Sequence, residues 1–80
     1  MYKTKIRVRE GLLERQREIS RTPSLDAQAR AIGISRSTLY SIMRGDQPHM
    51  NVVAAICDTY GFAPGEVLIA VSADTAEEVA

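Results

Sequence analysis

The 80-residue sequence predicts an all-α domain built from five short helices. Three observations lead there. Apolar residues recur at helical spacing through most of the chain. Ser24 and Ser35 stand where helix N-caps are needed, and Gly33, Gly45 and Gly61 stand where helices should stop. An apolar fraction of 45% over this length supplies one small core and no second one. The domain is expected over residues 1–71, followed by a small, acidic, frayed tail at 72–80.

The first helix is read from about Ile6 to Ser20, where Val8, Leu12, Leu13 and Ile19 fall near one stripe. Glu14 and Arg17 make an opposite-sign pair on its exposed side. Gly11 weakens its first turns by about 1 kcal/mol relative to Ala. Thr4 to Val8 alternates polar and apolar residues, so a short strand is the alternative reading of the N-terminal stretch. Arg21-Thr22-Pro23 breaks the helix, because a residue before proline avoids helical backbone. The second helix is capped by Ser24 and carries Asp26 in its first turn, where the helix dipole favours an anion. Leu25, Ala29 and Ile32 mark its inner face, and Gly33 ends it in the left-handed conformation that glycine adopts cheaply. Ile34 follows as an apolar plug. Ser35 caps the third helix, Arg36 to Met43, with Leu39, Ile42 and Met43 turned inward. Asp46-Gln47-Pro48 is a turn. The fourth helix runs from about His49 to Tyr60, with Met50, Val53, Ile56, Cys57 and Tyr60 on its inner face. Pro64 suits the first turn of a fifth helix, Pro64 to Leu68. Val67 to Val71 is the place for a second short terminal strand.

Composition removes several function classes. One cysteine and one histidine cannot build a zinc cage, and no metal or other cofactor is expected. The basic start lacks the apolar run of a signal peptide, and the apolar runs 52–57 and 67–71 are too short to cross a bilayer. A cytoplasmic protein with no membrane contact is expected. No glycine-rich phosphate loop and no His/Cys/Asp cluster occur, so no catalytic residue is nominated and an enzyme is not expected. Net charge is zero, but its distribution is not even. Residues 1–44 hold ten Lys and Arg against four Asp and Glu, whereas residues 45–80 hold none against six. A basic half can face a phosphate backbone while an acidic half faces away. Lys3, Lys5, Arg7 and Arg9 form a candidate basic arm or, alternating with Ile6 and Val8, decorate an edge strand.

The stretch Leu25 to Gly45 has the outline of a helix-turn-helix: two short helices joined by a glycine-centred turn. Ala29 is small where the helices cross closely, Gly33 turns the chain, and Ile34, Leu39 and Ile42 seat the second helix on the first. Arg36, Ser37, Tyr40, Ser41 and Arg44 remain on the outer face. Donors, acceptors and one aromatic ring suit the major groove of duplex DNA.

At Ala29, at Ile32-Gly33-Ile34-Ser35-Arg36-Ser37-Thr38-Leu39, at Ile42 and at Arg44-Gly45 the sequence resembles the Cro/repressor (Xre-like, lambda-repressor-like) helix-turn-helix family. The likeness continues through Pro48 to Met50, Tyr60 to Phe62 and Glu66 to Leu68, so it covers about Val8 to Leu68. It implies a five-helix fold and a sequence-specific transcriptional regulator that places its third helix in the major groove. It also implies base contacts by Arg36, Ser37 and Ser41, together with Tyr40. Phosphate contacts fall to Thr38, Arg44 and the start of the second helix at Leu25, with Arg30 on the solvent side near the backbone. An arginine at the start of a recognition helix pairs bidentately with guanine, at about 1–3 kcal/mol of discrimination. The sequence departs from the family at Leu25, where members often carry glutamine, and at Gln28, where the usual residue is a core leucine. One recognition helix reads few base pairs, so a homodimer with helices about 34 Å apart is expected. Its contact would involve Val67 to Val71 or pairing of that segment with Ile6 to Val8. A protein-interaction module or antitoxin, binding a partner protein through the acidic second half, is the alternative.

Overall fold

Two serines decide where the central helices begin. The Ser24 hydroxyl accepts from the Ala27 N–H at 3.1 Å, and the Ser35 hydroxyl accepts from the Thr38 N–H at 3.1 Å. Each satisfies one of the N–H groups that a first helical turn leaves without a partner. In the computed structural model, which describes residues 4–72, the elements are β1 (Thr4–Val8), α1 (Leu12–Ile19), α2 (Leu25–Ile32), α3 (Arg36–Arg44), α4 (Met50–Tyr60), α5 (Pro64–Val67) and β2 (Leu68–Ser72). The five helices and the two short strands match the expected set. The expected frayed tail falls outside the described residues from 73 onward, and Ser72 closes β2.

The N-terminal element corrects the helical reading of Ile6 to Ser20. Thr4–Val8 pairs antiparallel with β2, with Lys5 opposite Val71, Arg7 opposite Ile69 and Val8 opposite Leu68. The Arg9 N–H extends the ladder to the Val67 carbonyl at 2.8 Å. Gly11, with φ 83°, then redirects the chain into α1. The two-residue alternation of Thr4–Val8 prevails because β2 supplies the backbone partners that an isolated segment lacks.

The core is formed by Val8, Leu13, Ala29, Ile32, Leu39, Ile42, Val52, Ile56 and Val67. Leu12, Leu25, Ile34, Met43, Cys57, Tyr60, Phe62 and Leu68 pack against it from partly buried positions. Two expected core residues lie outside. Ile19 is 67% exposed, in the last turn of α1 beyond its packed part, and Met50 is 79% exposed at the first position of α4, where Val52 and Val53 take the inner face. The end of α1 is also unusual. Arg21 adopts φ 55°, the left-handed conformation that normally selects glycine, while the Thr22 N–H closes back on the Arg17 carbonyl at 2.9 Å.

Gln28 explains the departure from a core leucine. Its side chain is fully buried, yet every polar atom has a partner. The amide nitrogen donates to the Leu13 carbonyl at 2.8 Å and to the Tyr60 hydroxyl at 3.1 Å. The amide oxygen accepts from Arg17 Nη1 at 3.0 Å. One side chain thereby ties α1, α2 and α4 together, and a buried amide is tolerated because its hydrogen bonds are made.

Candidate nucleic-acid interface

The turn between α2 and α3 is closed by two bonds to one acceptor. The Gly33 and Ile34 N–H groups donate to the Ala29 carbonyl at 2.8 and 3.0 Å. Gly33 takes φ 92°, which lets the chain reverse within three residues. Leu39 and Ile42 are buried against the core, so the opposite face of α3 is held outward. That face carries Arg36, Ser37, Tyr40, Ser41 and Arg44, which places four of the expected base-reading residues and one expected phosphate contact on one surface. Tyr40 is 48% exposed. A groove of about 570 Å3 runs beside this face, between α3 and the first turn of α4. Ser37, Tyr40, Ser41 and Arg44 line it from one side, and Gln47 and His49 from the other.

The remaining expected contacts are placed less evenly. Thr38 is half-buried, and its hydroxyl accepts from Ser35 Oγ at 2.8 Å while its own proton remains available. The Leu25 side chain packs against the core from a partly buried position at the start of α2. Arg30 is exposed in the last turn of α2, at the opposite end from Leu25. Lys5, Arg7 and Arg9 lie in and just beyond a paired strand rather than on a free arm, and Lys3 lies outside the described residues. The Arg7 guanidinium lies over Gly45, and its Nε donates to the Val8 carbonyl at 2.8 Å. Arg9 Nη2 donates to the Gly65 carbonyl at 3.4 Å. The Ile6 N–H reaches Gln47 Oε1 at 3.4 Å. β1 therefore brings Lys5 and Arg7 to the end of α3.

Acidic residues also enter this surface, Asp26 from the basic half of the sequence and Asp46 from the acidic half. Asp26 on α2 pairs with Arg36, whose Nη1 lies 3.1 Å from Oδ1 and 3.3 Å from Oδ2. Asp46 accepts from Ser41 Oγ at 2.6 Å and from Arg44 Nη2 at 2.9 Å, both through Oδ2. These two donors, Ser41 first, hold the Asp46 carboxyl below the usual aspartate value, with Lys5 adding a smaller charge effect. Sequence reasoning missed Asp26, Asp46 and Gln47 as parts of the surface. The short spacing Arg44-Gly45-Asp46 was the one local signal available for Asp46.

A glycine-turned helix pair with an exposed polar second helix is the geometry of a DNA-binding helix-turn-helix. The family model of the helix-turn-helix domain matches residues 11–68, which takes in all five helices. The chain belongs to that family. No curated protein and no solved structure gives a match. Membership supports DNA as the partner of this helix-turn-helix domain and a regulatory role. Among the described residues no helix is long and apolar enough to cross a membrane, and no group of His, Cys, Asp and Glu could hold a metal ion.

Proposed function

We propose that this helix-turn-helix protein binds duplex DNA sequence-specifically as a small transcriptional regulator of the Cro/repressor (Xre-like) kind, working in the cytoplasm of a bacterial or phage-infected cell. The observation that carries the reading is the outward face of α3, where Arg36, Ser37, Tyr40, Ser41 and Arg44 share one surface beside an open groove. In this reading α3 enters the major groove. Arg36 reads guanine, Ser37, Ser41 and Tyr40 contact neighbouring base edges, and Thr38, Arg44, Arg30 and the backbone at Leu25 meet phosphates. Lys5 and Arg7 extend the positive surface past the end of α3. Asp26 and Asp46 hold Arg36 and Arg44 in place until DNA competes for them. Exposed ion pairs of this kind are worth only about 0–1 kcal/mol, so a phosphate or guanine can displace them.

The protein acts as a homodimer in this reading, with the β1–β2 ribbon as the contact. Ile6 and Ile69 are exposed on that ribbon, and β2 has no neighbouring strand among the described residues on its outer side. Fluorescence anisotropy on a mixed-sequence duplex across a salt series tests the DNA reading. Affinity should fall steeply with salt, and Arg44→Ala should lower the slope of log K against log salt by about 0.9, the value for one lost phosphate contact. Arg36→Ala should relax base preference in a selection from random duplexes. No binding at low salt, together with tight capture of a protein partner, would overturn the reading in favour of an interaction module.

A further inference from the structure

We propose that Asp46 fixes the hydrogen-bonding polarity of Ser41, so that this serine recognises an amino group on a base edge, the N6 amine of adenine or the N4 amine of cytosine. The inference rests on the proposal that α3 reads DNA. A serine hydroxyl has one proton and two lone pairs. Left to rotate, it serves donor and acceptor base edges alike and discriminates little. Here the proton is committed. Ser41 Oγ donates to Asp46 Oδ2 at 2.6 Å, a short charge-assisted bond.

The acceptor is itself held in place. The Asp46 N–H donates to the Ser41 carbonyl at 3.0 Å, a bond that stays when Arg44 leaves Asp46 for a phosphate. Backbone and side chain thus bind Asp46 to the same residue whose hydroxyl it orients. Its carboxyl lies below the usual aspartate range and stays ionised near neutral pH, when it can only accept. Ser41 lines the open groove beside α3, so its lone pairs are the part it offers outward. Guanine N7 and O6 and thymine O4 are acceptors and would meet those lone pairs with repulsion. The exocyclic amines of adenine and cytosine are donors and fit. Asp46 is a positioning residue in this scheme, because it acts on the base through Ser41.

The test is selection from random duplexes with the wild-type chain, Ser41→Ala and Asp46→Ala, each first checked for folding by circular dichroism. The position whose preference disappears in Ser41→Ala is the one Ser41 reads. Wild type should enrich adenine or cytosine there, and Asp46→Ala should accept all four bases at that position while still binding. A second measurement does not depend on the Asp46 variant. Replacing the selected adenine by purine, or the cytosine by 2-pyrimidinone, removes only the amine. Wild type should lose about three- to tenfold in affinity, the worth of one hydrogen bond, and Ser41→Ala should lose none. Guanine or thymine at the Ser41 position, an unchanged preference in a folded Asp46→Ala, or no position lost in Ser41→Ala would overturn the proposal. Failure of wild type to bind any duplex at low salt would instead overturn the DNA reading on which it stands.

Discussion

Replacing Gln28 separates volume from hydrogen bonding in the core. The side chain is fully buried and makes bonds of 2.8, 3.1 and 3.0 Å to three residues on α1 and α4. A simple sum of about 1 kcal/mol per bond would give about 3 kcal/mol for their loss. The partners do not all become orphans, however. The Leu13 carbonyl lies inside α1, and Arg17 and Tyr60 are only half-buried, so both can turn to water. Gln28→Ala should therefore cost about 2–3 kcal/mol, mostly from the cavity it opens between α1, α2 and α4. On a domain of this size that lowers Tm by roughly 10–20 °C. Gln28→Leu keeps the volume and buries apolar surface instead, so it should stay within about 1 kcal/mol of the wild type. Guanidinium unfolding followed by far-UV circular dichroism measures both, with an unchanged m-value as the sign that only stability moved. Equal losses for Leu and Ala would refute the reasoning, since they would show that the amide bonds and not the volume hold the site.

Arg21→Gly should raise stability by about 1 kcal/mol in the same assay, because glycine removes the strain of φ 55° at the end of α1. Gly45→Ala should lower it by about 1 kcal/mol or more. The residue has φ 110°, and a Cβ there would stand 3.0 Å from Arg7 Nη1, so the added strain shows as a lower unfolding midpoint. The Asp46 carboxyl should titrate below the ordinary value of about 3.9 in a carbon-detected NMR pH series. Because its folded value is depressed, the stability it contributes is full above the unfolded value. That stability is lost as pH falls through the folded one, and Asp46→Asn should remove this acid dependence.

The central helices were legible because each boundary has a local chemical cause. Ser24 and Ser35 cap within three residues, and Gly33 and Gly45 take the left-handed turn. The face of α3 followed from the inward positions of Leu39 and Ile42. What stayed open or escaped was set by neighbours distant in sequence. Thr4–Val8 read either as the start of a helix or, by its alternation, as a strand, and its pairing with Leu68–Ser72 decides for the strand. Its apolar positions also merge with the stripe of α1, which drew the helix too far forward. Gln28 read as a misfit because its three partners lie 11, 15 and 32 residues away. Asp26 and Arg36 are ten residues apart on different helices. Their pairing depends on the crossing of those helices, not on any motif.

The β1–β2 ribbon also bears on how the molecule opens. Val8 and Leu68 meet across nearly the whole described chain, so closing the ribbon pays the loop entropy of everything between them. The turn from α2 into α3 needs no such closure. Helices should consolidate first and the ribbon last, and under native conditions the ribbon should unzip as a separate cooperative unit. The amides of Lys5, Arg7, Ile69 and Val71 should then exchange with solvent hydrogen well ahead of those at Leu39 and Ile56. The ribbon reaches the end of α3 through Ile6 on Gln47 and Arg7 over Gly45. Each unzipping event would therefore loosen the connector that carries Asp46, so breathing at the chain's far ends reaches the surface of α3.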